Sequence, residues 1–191
     1  MNKYINFLDL GDQPLANNYL KKNELNKKEK KYRLKVGIDL DSKLVSINKP
    51  LSSKMMFNKN YPYRSSMSKT MIKSFENLAK IIKKKFKPKR ILEIGSNDGS
   101  FIKNFPKNIT IGIEPCSNVE KITKQKGYDT YSEYWNKKTA KKILRKRGKV
   151  DLIYSANTIS HIENLNEVFK SINILLKDDG VVILEDPSLL E

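Results

Sequence analysis

Arg90-Ile91-Leu92-Glu93-Ile94-Gly95-Ser96-Asn97-Asp98-Gly99 is the stretch on which the reading of this chain turns. An apolar run ends at an acidic residue, two glycines set a turn, and a helix-compatible stretch begins at Ser100. The first strand, loop and helix of a doubly wound α/β domain begin this way. Glycine allows a tight turn and close backbone approach to a ligand, and a helix start offers free N–H groups. The spacing is E-x-G-x-x-x-G. It is neither the G-x-G-x-x-G of a dinucleotide fingerprint nor a phosphate loop ending in Gly-Lys-Ser/Thr. Glu93 repels a pyrophosphate and welcomes an ammonium group.

Downstream, Ile109-Thr110-Ile111-Gly112-Ile113-Glu114 reads as a second parallel strand closing on a carboxylate. A carboxylate about 20 residues after the glycine loop takes ribose hydroxyls in adenosine-containing ligands. Val150-Asp151-Leu152-Ile153-Tyr154-Ser155-Ala156-Asn157 reads as the fourth strand. A helix over 166–177 and a fifth strand over 180–185 follow.

Upstream, residues 1–68 form a different unit. Phe7 to Gly11 and Gln13 to Asn17 read as a short apolar piece with a Gly/Pro turn. Tyr32 to Val36 and Lys43 to Ile47 alternate polar and apolar residues as a hairpin turning at 39–42. Over 68–85, Met71, Ile72, Phe75, Leu78, Ala79 and Ile82 share one helical face. The expected fold is therefore α/β: a Rossmann-like domain over 69–191, preceded by a small hairpin-containing module over 1–68.

The 191 residues hold one core domain and a small appendage. No run of 18 apolar residues exists and the N-terminus has no apolar signal region, so a cytoplasmic protein without a membrane span is expected. One cysteine, Cys116, excludes an intramolecular disulfide and a multi-cysteine zinc site. The net charge of +17 is uneven: residues 1–90 carry 23 Lys/Arg against 7 Asp/Glu, and residues 91–191 carry 15 against 14. Arginine is scarce and no aromatic-interleaved basic segment is present, so solvated lysine faces are the favoured reading and nucleic acid is disfavoured. Residues 137–149, with eight positive side chains, read as a surface helix between the third and fourth strands.

Together these segments carry a resemblance. The loop at 93–99 resembles motif I of S-adenosylmethionine-dependent methyltransferases. Five segments in collinear order resemble the sugar C-methyltransferases: residues 8–17, Tyr61-Pro62-Tyr63-Arg64-Ser65-Ser66-Met67-Ser68, residues 92–101, Asn157-Thr158-Ile159-Ser160-His161-Ile162, and Glu185-Asp186-Pro187. The resemblance covers nearly the whole chain. It implies S-adenosyl-L-methionine as cofactor, with a nucleotide-linked 4-keto-hexose as substrate, methylated at carbon 3 through an enolate. It also implies an N-terminal zinc module. Asp39 and Ser42 stand where that family has a cysteine pair, and residues 1–7 contain no cysteine, so loss of the metal is expected. A C-terminal α/β domain with a Tyr-x-Glu-His segment is implied beyond Leu190. The chain thus reads as truncated, as one part of a split enzyme partnered by a separate C-terminal-domain polypeptide, or as a shortened relative.

The cofactor set expected from the loop and strand ends is Glu93, Gly95, Ser96, Asn97, Gly99, Glu114, Pro115 and Asn157. His161, just after the fourth strand, lies where substrate meets cofactor in open α/β sheets. Imidazole serves proton transfer or hydrogen bonding near neutral pH. The resemblance adds Tyr63, whose phenol can donate to a 4-keto oxygen. Cys116 reads as a small residue beside the adenosine, and 131–135 as either an adenine contact or core packing. Two other functions stay open: a non-catalytic cofactor-binding subunit, and an RNA or protein methyltransferase. The second lacks an Asn/Asp-Pro-Pro-aromatic motif at Ser155-Ala156-Asn157-Thr158.

Overall fold

The computed structural model describes residues 3–187; Ser188 to Leu190, just past the last of the five segments, lie outside them. Two compact units make up the chain, Met1–Met56 and Phe57–Glu191.

The first unit is an antiparallel sheet in the order β1-β2-β3. It comprises β1 (Tyr4–Pro14), β2 (Lys31–Asp39) and β3 (Val45–Ile47), with a short helix α1 (Ser53–Met56) beyond it. The expected hairpin is β2–β3, with Val36 opposite Ile47 and Ile38 opposite Val45. The apolar piece and its Gly/Pro turn are instead one strand paired along β2, from Tyr4–Asp39 to Pro14–Lys31. Register breaks between Asn6 and Leu8 and between Asp9 and Asp12 disrupt the alternation that announces a strand. Gly37 is needed in β2, because a Cβ there would lie 2.4 Å from the Ile5 carbonyl oxygen.

The second unit carries a parallel sheet in the order β6-β5-β4-β7-β8. Its strands are β4 (Ile91–Ile94), β5 (Thr110–Ile113), β6 (Asp129–Tyr131), β7 (Val150–Ala156) and β8 (Leu176–Glu185). This is the expected Rossmann-like α/β fold. Successive strands step outward from β4 on one side, then on the other, so the order reverses between β4 and β7 and a crevice opens at their carboxyl ends. Alternate residues feed two cores. Ile91, Leu152 and Tyr154 join Phe101 and the helix α2 (Lys69–Lys85) on one face. Leu92, Ile94 and Ile153 join α4 (Lys137–Arg147) and α5 (Leu165–Leu175) on the other. Helix α2 buries Phe75, Ala79 and Ile82 from its apolar stripe, and Ser68 caps it by accepting the Met71 N–H.

Three expectations are corrected. After the glycine loop there is no α-helix, only a 3-10 turn over Ile102–Asn104. Asn104 Nδ2 donates to the Ser100 and Phe101 carbonyls and Pro106 follows, which ends the turn before it can extend. Strand β8 begins at Leu176 rather than 180, because α5 already stops at Leu175. The units divide at Met56/Phe57 rather than after 68, because 57–66 is bonded throughout to the second unit. The Phe57 carbonyl accepts from the Tyr134 hydroxyl at 2.6 Å, and the Tyr61 carbonyl from Asn118 Nδ2 at 2.8 Å. Asn97 Oδ1 accepts the Ser65 N–H at 2.8 Å. Among the described residues, no helix is long and apolar enough to cross a membrane.

Candidate functional site

The crevice begins at the glycine loop. Gly95 and Gly99 have φ of +75° and +80°, and Asn97 between them has +47°. Only residues tolerant of the left-handed region make this loop. A Cβ on Gly95 would meet Thr158 Oγ1 at 2.1 Å, and one on Gly99 would meet Thr123 Cγ2 at 2.8 Å. The turns after β4 and β7 therefore approach each other more closely than any side chain at Gly95 permits. The N–H groups of Gly95 and Ser96 both donate to the Ile113 carbonyl, tying the loop to the end of β5.

Glu93, in β4 beneath this loop, is 4% exposed. Among the described residues its Oε2 has no hydrogen-bond partner. Burial, relieved only partly by the Ile102 N–H and reinforced by Glu114 and Asp98, holds its carboxyl well above the usual range. A buried acid with an unmatched oxygen is the group a ligand ammonium would satisfy. Ser96 Oγ is likewise buried without a partner among the described residues.

Glu114, just past β5, is 5% exposed. Its Oε2 accepts the Asn97 N–H at 3.0 Å and its Oε1 the Cys116 N–H at 2.8 Å. Burial nevertheless raises its pKa. The two N–H groups aim the carboxylate, the Cys116 thiol also bonds to it, and a lone pair remains for a hydroxyl donor. Cys116 is buried, and desolvation with the neighbouring Glu114 pushes its thiol upward, so it is an inert packing residue. Pro115 lies between the two.

The segment 57–66 brings aromatic groups to this carboxylate. Burial, with Cys116 and Glu114 nearby, pushes the Tyr61 phenol up to about 12. Tyr134, just past β6, is raised by burial and the same two neighbours. Tyr61, the first tyrosine of Tyr61-Pro62-Tyr63, is not among the candidate residues read from the sequence, whereas Tyr134 lies within 131–135, a stretch open to either an adenine contact or core packing. The rest of that stretch divides. Tyr131 and Trp135 belong to the core, with the Trp135 indole donating to the Val168 carbonyl.

His161 ends a 3-10 turn over Ile159–His161, with its ring 5.6 Å from that of Phe57 and Phe57 5.5 Å from Tyr61. Tyr63 is 44% exposed, and its carbonyl accepts from Asn97 Nδ2 at 3.3 Å. His161 thus packs against the Phe57 ring, which in turn meets that of Tyr61, while Tyr63 is tied to the glycine loop through its main chain. Asn157 is exposed with φ +48°, its N–H donating to the Glu185 carbonyl at 2.7 Å. The side chain of Asn97 bonds 63–65, while its N–H faces Glu114.

Fold and crevice together define a methyltransferase-type domain. Residues 63–190 match the family described as "Methyltransferase domain", and the chain belongs to that family. Residues 2–57 match a second family, "Putative zinc binding domain". The donors do not fit zinc. Residues 2–57 contain neither cysteine nor histidine, and Asp39 Oδ1 is taken up by the Asp41 N–H, the Ser42 N–H and the Ser42 hydroxyl. The chain is 23% identical, over 98% of its length, to the C-methyltransferase NovU of Streptomyces niveus, and covers 46% of that protein. It therefore spans about half the length of the curated relative it matches. Among solved structures, DesVI of Streptomyces venezuelae is similar at a TM-score of 0.50 and 15% identity, covering 63% of this chain and 52% of DesVI. The plantazolicin methyltransferase BamL, bound to S-adenosylhomocysteine, is similar at 0.49 and 18% identity, covering 62% and 47%. The likeness to DesVI is one of fold.

Proposed function

We propose that this chain is an S-adenosylmethionine-dependent methyltransferase that C-methylates a nucleotide-linked 4-keto-hexose. The observation that carries the donor half is the pairing, at one crevice, of the buried unmatched oxygen of Glu93 with the aimed carboxylate of Glu114. Glu93 takes the ammonium of the methionine end and Glu114 the ribose hydroxyls. Gly95 and Gly99 let the backbone approach, and Ser96, Pro115 and Asn157 line the same edge. When bound, S-adenosylmethionine supplies an electrophilic methyl group.

The acceptor half rests on the collinear resemblance to sugar C-methyltransferases and on the match to NovU. Removal of the proton at carbon 3 of a 4-keto sugar leaves an enolate, and its carbon is the nucleophile. In this reading His161 accepts that proton or holds the enolate oxygen, and Tyr63 donates to that oxygen. Calorimetric titration with S-adenosylhomocysteine tests the donor half: wild-type chain binds, and Glu114→Ala weakens binding by about 1–3 kcal/mol. Silence at millimolar ligand overturns it. Incubation with S-adenosylmethionine and a thymidine-diphosphate-linked 4-keto-hexose, with mass spectrometry for one added methyl group, tests the acceptor half. Product formation that is indifferent to His161→Ala removes His161 from the chemistry.

A further inference from the structure

We propose that Asn97 is a positioning residue which couples occupancy of the Glu114 carboxylate to the placement of the tyrosine-bearing segment 61–66. The inference rests on the cofactor reading above and extends it to how the acceptor side is set. Asn97 faces both partners at once. Its main-chain N–H donates to Glu114 Oε2 at 3.0 Å. Its side chain accepts the Ser65 N–H at 2.8 Å and donates to the Tyr63 carbonyl at 3.3 Å. Its own carbonyl accepts from Thr123 Oγ1 at 3.1 Å, so the residue is anchored on a third side.

The next residue repeats the arrangement. Asp98 Oδ2 accepts the Ser66 N–H at 3.3 Å, while its Oδ1 is held by the Ser100 hydroxyl at 2.6 Å. Both residues are almost wholly buried, Asn97 8% and Asp98 1% exposed, although each bonds a segment in which Tyr63, Arg64 and Ser66 are exposed. Polar groups this buried in a ligand loop normally face the ligand. Here they face the peptide groups that carry Tyr63. The left-handed backbone at Asn97 is what points its N–H at Glu114 and its amide at 63–65.

A ligand that fixes the Glu114 carboxylate also fixes the Asn97 N–H, and through one rigid residue the backbone of 63–65. The coupling is reciprocal: a docked segment favours the ligand as much as the ligand favours docking. The docking of 63–66 seen here is then strengthened by donor binding, and the placement of Tyr63 is strengthened with it.

Asn97→Gly separates these functions. Glycine keeps the left-handed backbone and the N–H to Glu114 and deletes both side-chain bonds to the segment. The readouts are amide hydrogen exchange over 61–66 and calorimetry, each with and without S-adenosylhomocysteine. In the wild type the ligand slows exchange over 61–66. In Asn97→Gly, exchange in the free protein is about tenfold faster there, as two lost hydrogen bonds imply, and the ligand-induced slowing disappears although the ligand still binds. Asn17→Gly, the same change at another left-handed asparagine in the first unit, leaves both readouts at wild-type values. Ligand binding with no change over 61–66 in the wild type, or with equal slowing in Asn97→Gly, overturns the coupling alone. No ligand binding to the wild type overturns the cofactor reading and the coupling together, and calorimetry tells the two cases apart.

Discussion

The two sheets of this chain are built on opposite economies. In the five-stranded sheet, β4 and β5 are buried at every position, and α2 on one face and α4 and α5 on the other cover it with Phe75, Ile82, Ile143, Val168 and Ile172. In the three-stranded sheet, Gly37 is the only buried residue among those described in 3–56, and Ile5, Phe7, Leu8 and Leu10 stand 43–58% exposed. What shapes the smaller unit is polar: Arg33 on Asp9 at 2.7 Å, and the turn wound around Asp39. The five-stranded sheet is held by apolar burial, the three-stranded one by ladder and turn hydrogen bonds. The difference predicts where substitutions, ligands and pH act.

The largest effect belongs to the apolar core. Phe101 is fully buried, 4.0 Å from the Tyr154 ring and 5.3 Å from that of Phe105. Phe101→Ala leaves a cavity beneath the glycine loop and costs about 3–5 kcal/mol in chemical denaturation. Phe7→Ala, in the exposed strand β1, stays within about 0.5 kcal/mol. Equal costs would break the contrast.

Next comes Gly95→Ala, which tests whether the crevice depends on backbone approach. The new Cβ meets Thr158 Oγ1 at 2.1 Å and the residue must hold a φ of +75°. The left-handed penalty is about 1–2 kcal/mol and the clash adds to it, so affinity for S-adenosylhomocysteine falls by more than about tenfold. Adding Thr158→Ala removes the clash, leaves the φ penalty and restores part of the loss. Wild-type affinity in the single variant would show that the two turns have room to separate.

These positions also mark what could be read without coordinates. Glycines at 95 and 99, the acid before them and the acid after β5 are local signals, because turn chemistry and strand ends are written within a few residues. Apolar runs with their end residues marked β4, β5 and β7, and strand alternation the β2–β3 hairpin. It missed β1, where two bulges and Gly11 break the period. The helix expected after the loop failed for an equally local reason, the early stop at Asn104 and Pro106. Long-range partners were illegible. Nothing near Asn97 in sequence announces that its amide serves Tyr63 and Ser65, nor near Tyr134 that its hydroxyl serves Phe57. Tyr61 and Tyr134 entered the site through such pairings, and Tyr131 and Trp135 left it for the core through others.

The smallest effect is also the one that tells the two sheets apart by sign. Asp39 in the first unit and Glu93 in the second are displaced in opposite directions. Hydrogen bonds from the Ser42 N–H, the Ser42 hydroxyl and the Asp41 N–H hold the Asp39 carboxyl below its usual range. A depressed carboxyl stabilises the fold above its unfolded pKa, about 3.9, and that contribution is lost as pH falls through the lower folded value. Glu93 runs the other way. Burial raises its pKa, so its favourable contribution is complete below about pH 4.3 and is lost as pH rises through the higher folded value. Amide exchange followed down from pH 6, corrected for the intrinsic pH dependence of exchange, should therefore show protection around the 39–44 turn weakening below about pH 4. Over the upper part of the same range, protection in β4 should hold or rise. Asp39→Asn, which removes the ionised acceptor, should flatten the acid response of the turn and leave β4 unchanged. A turn whose protection does not respond to acid, or an Asp39→Asn variant that responds as the wild type does, would show that the ladder of β2 and β3 holds the hairpin without the Asp39 carboxylate.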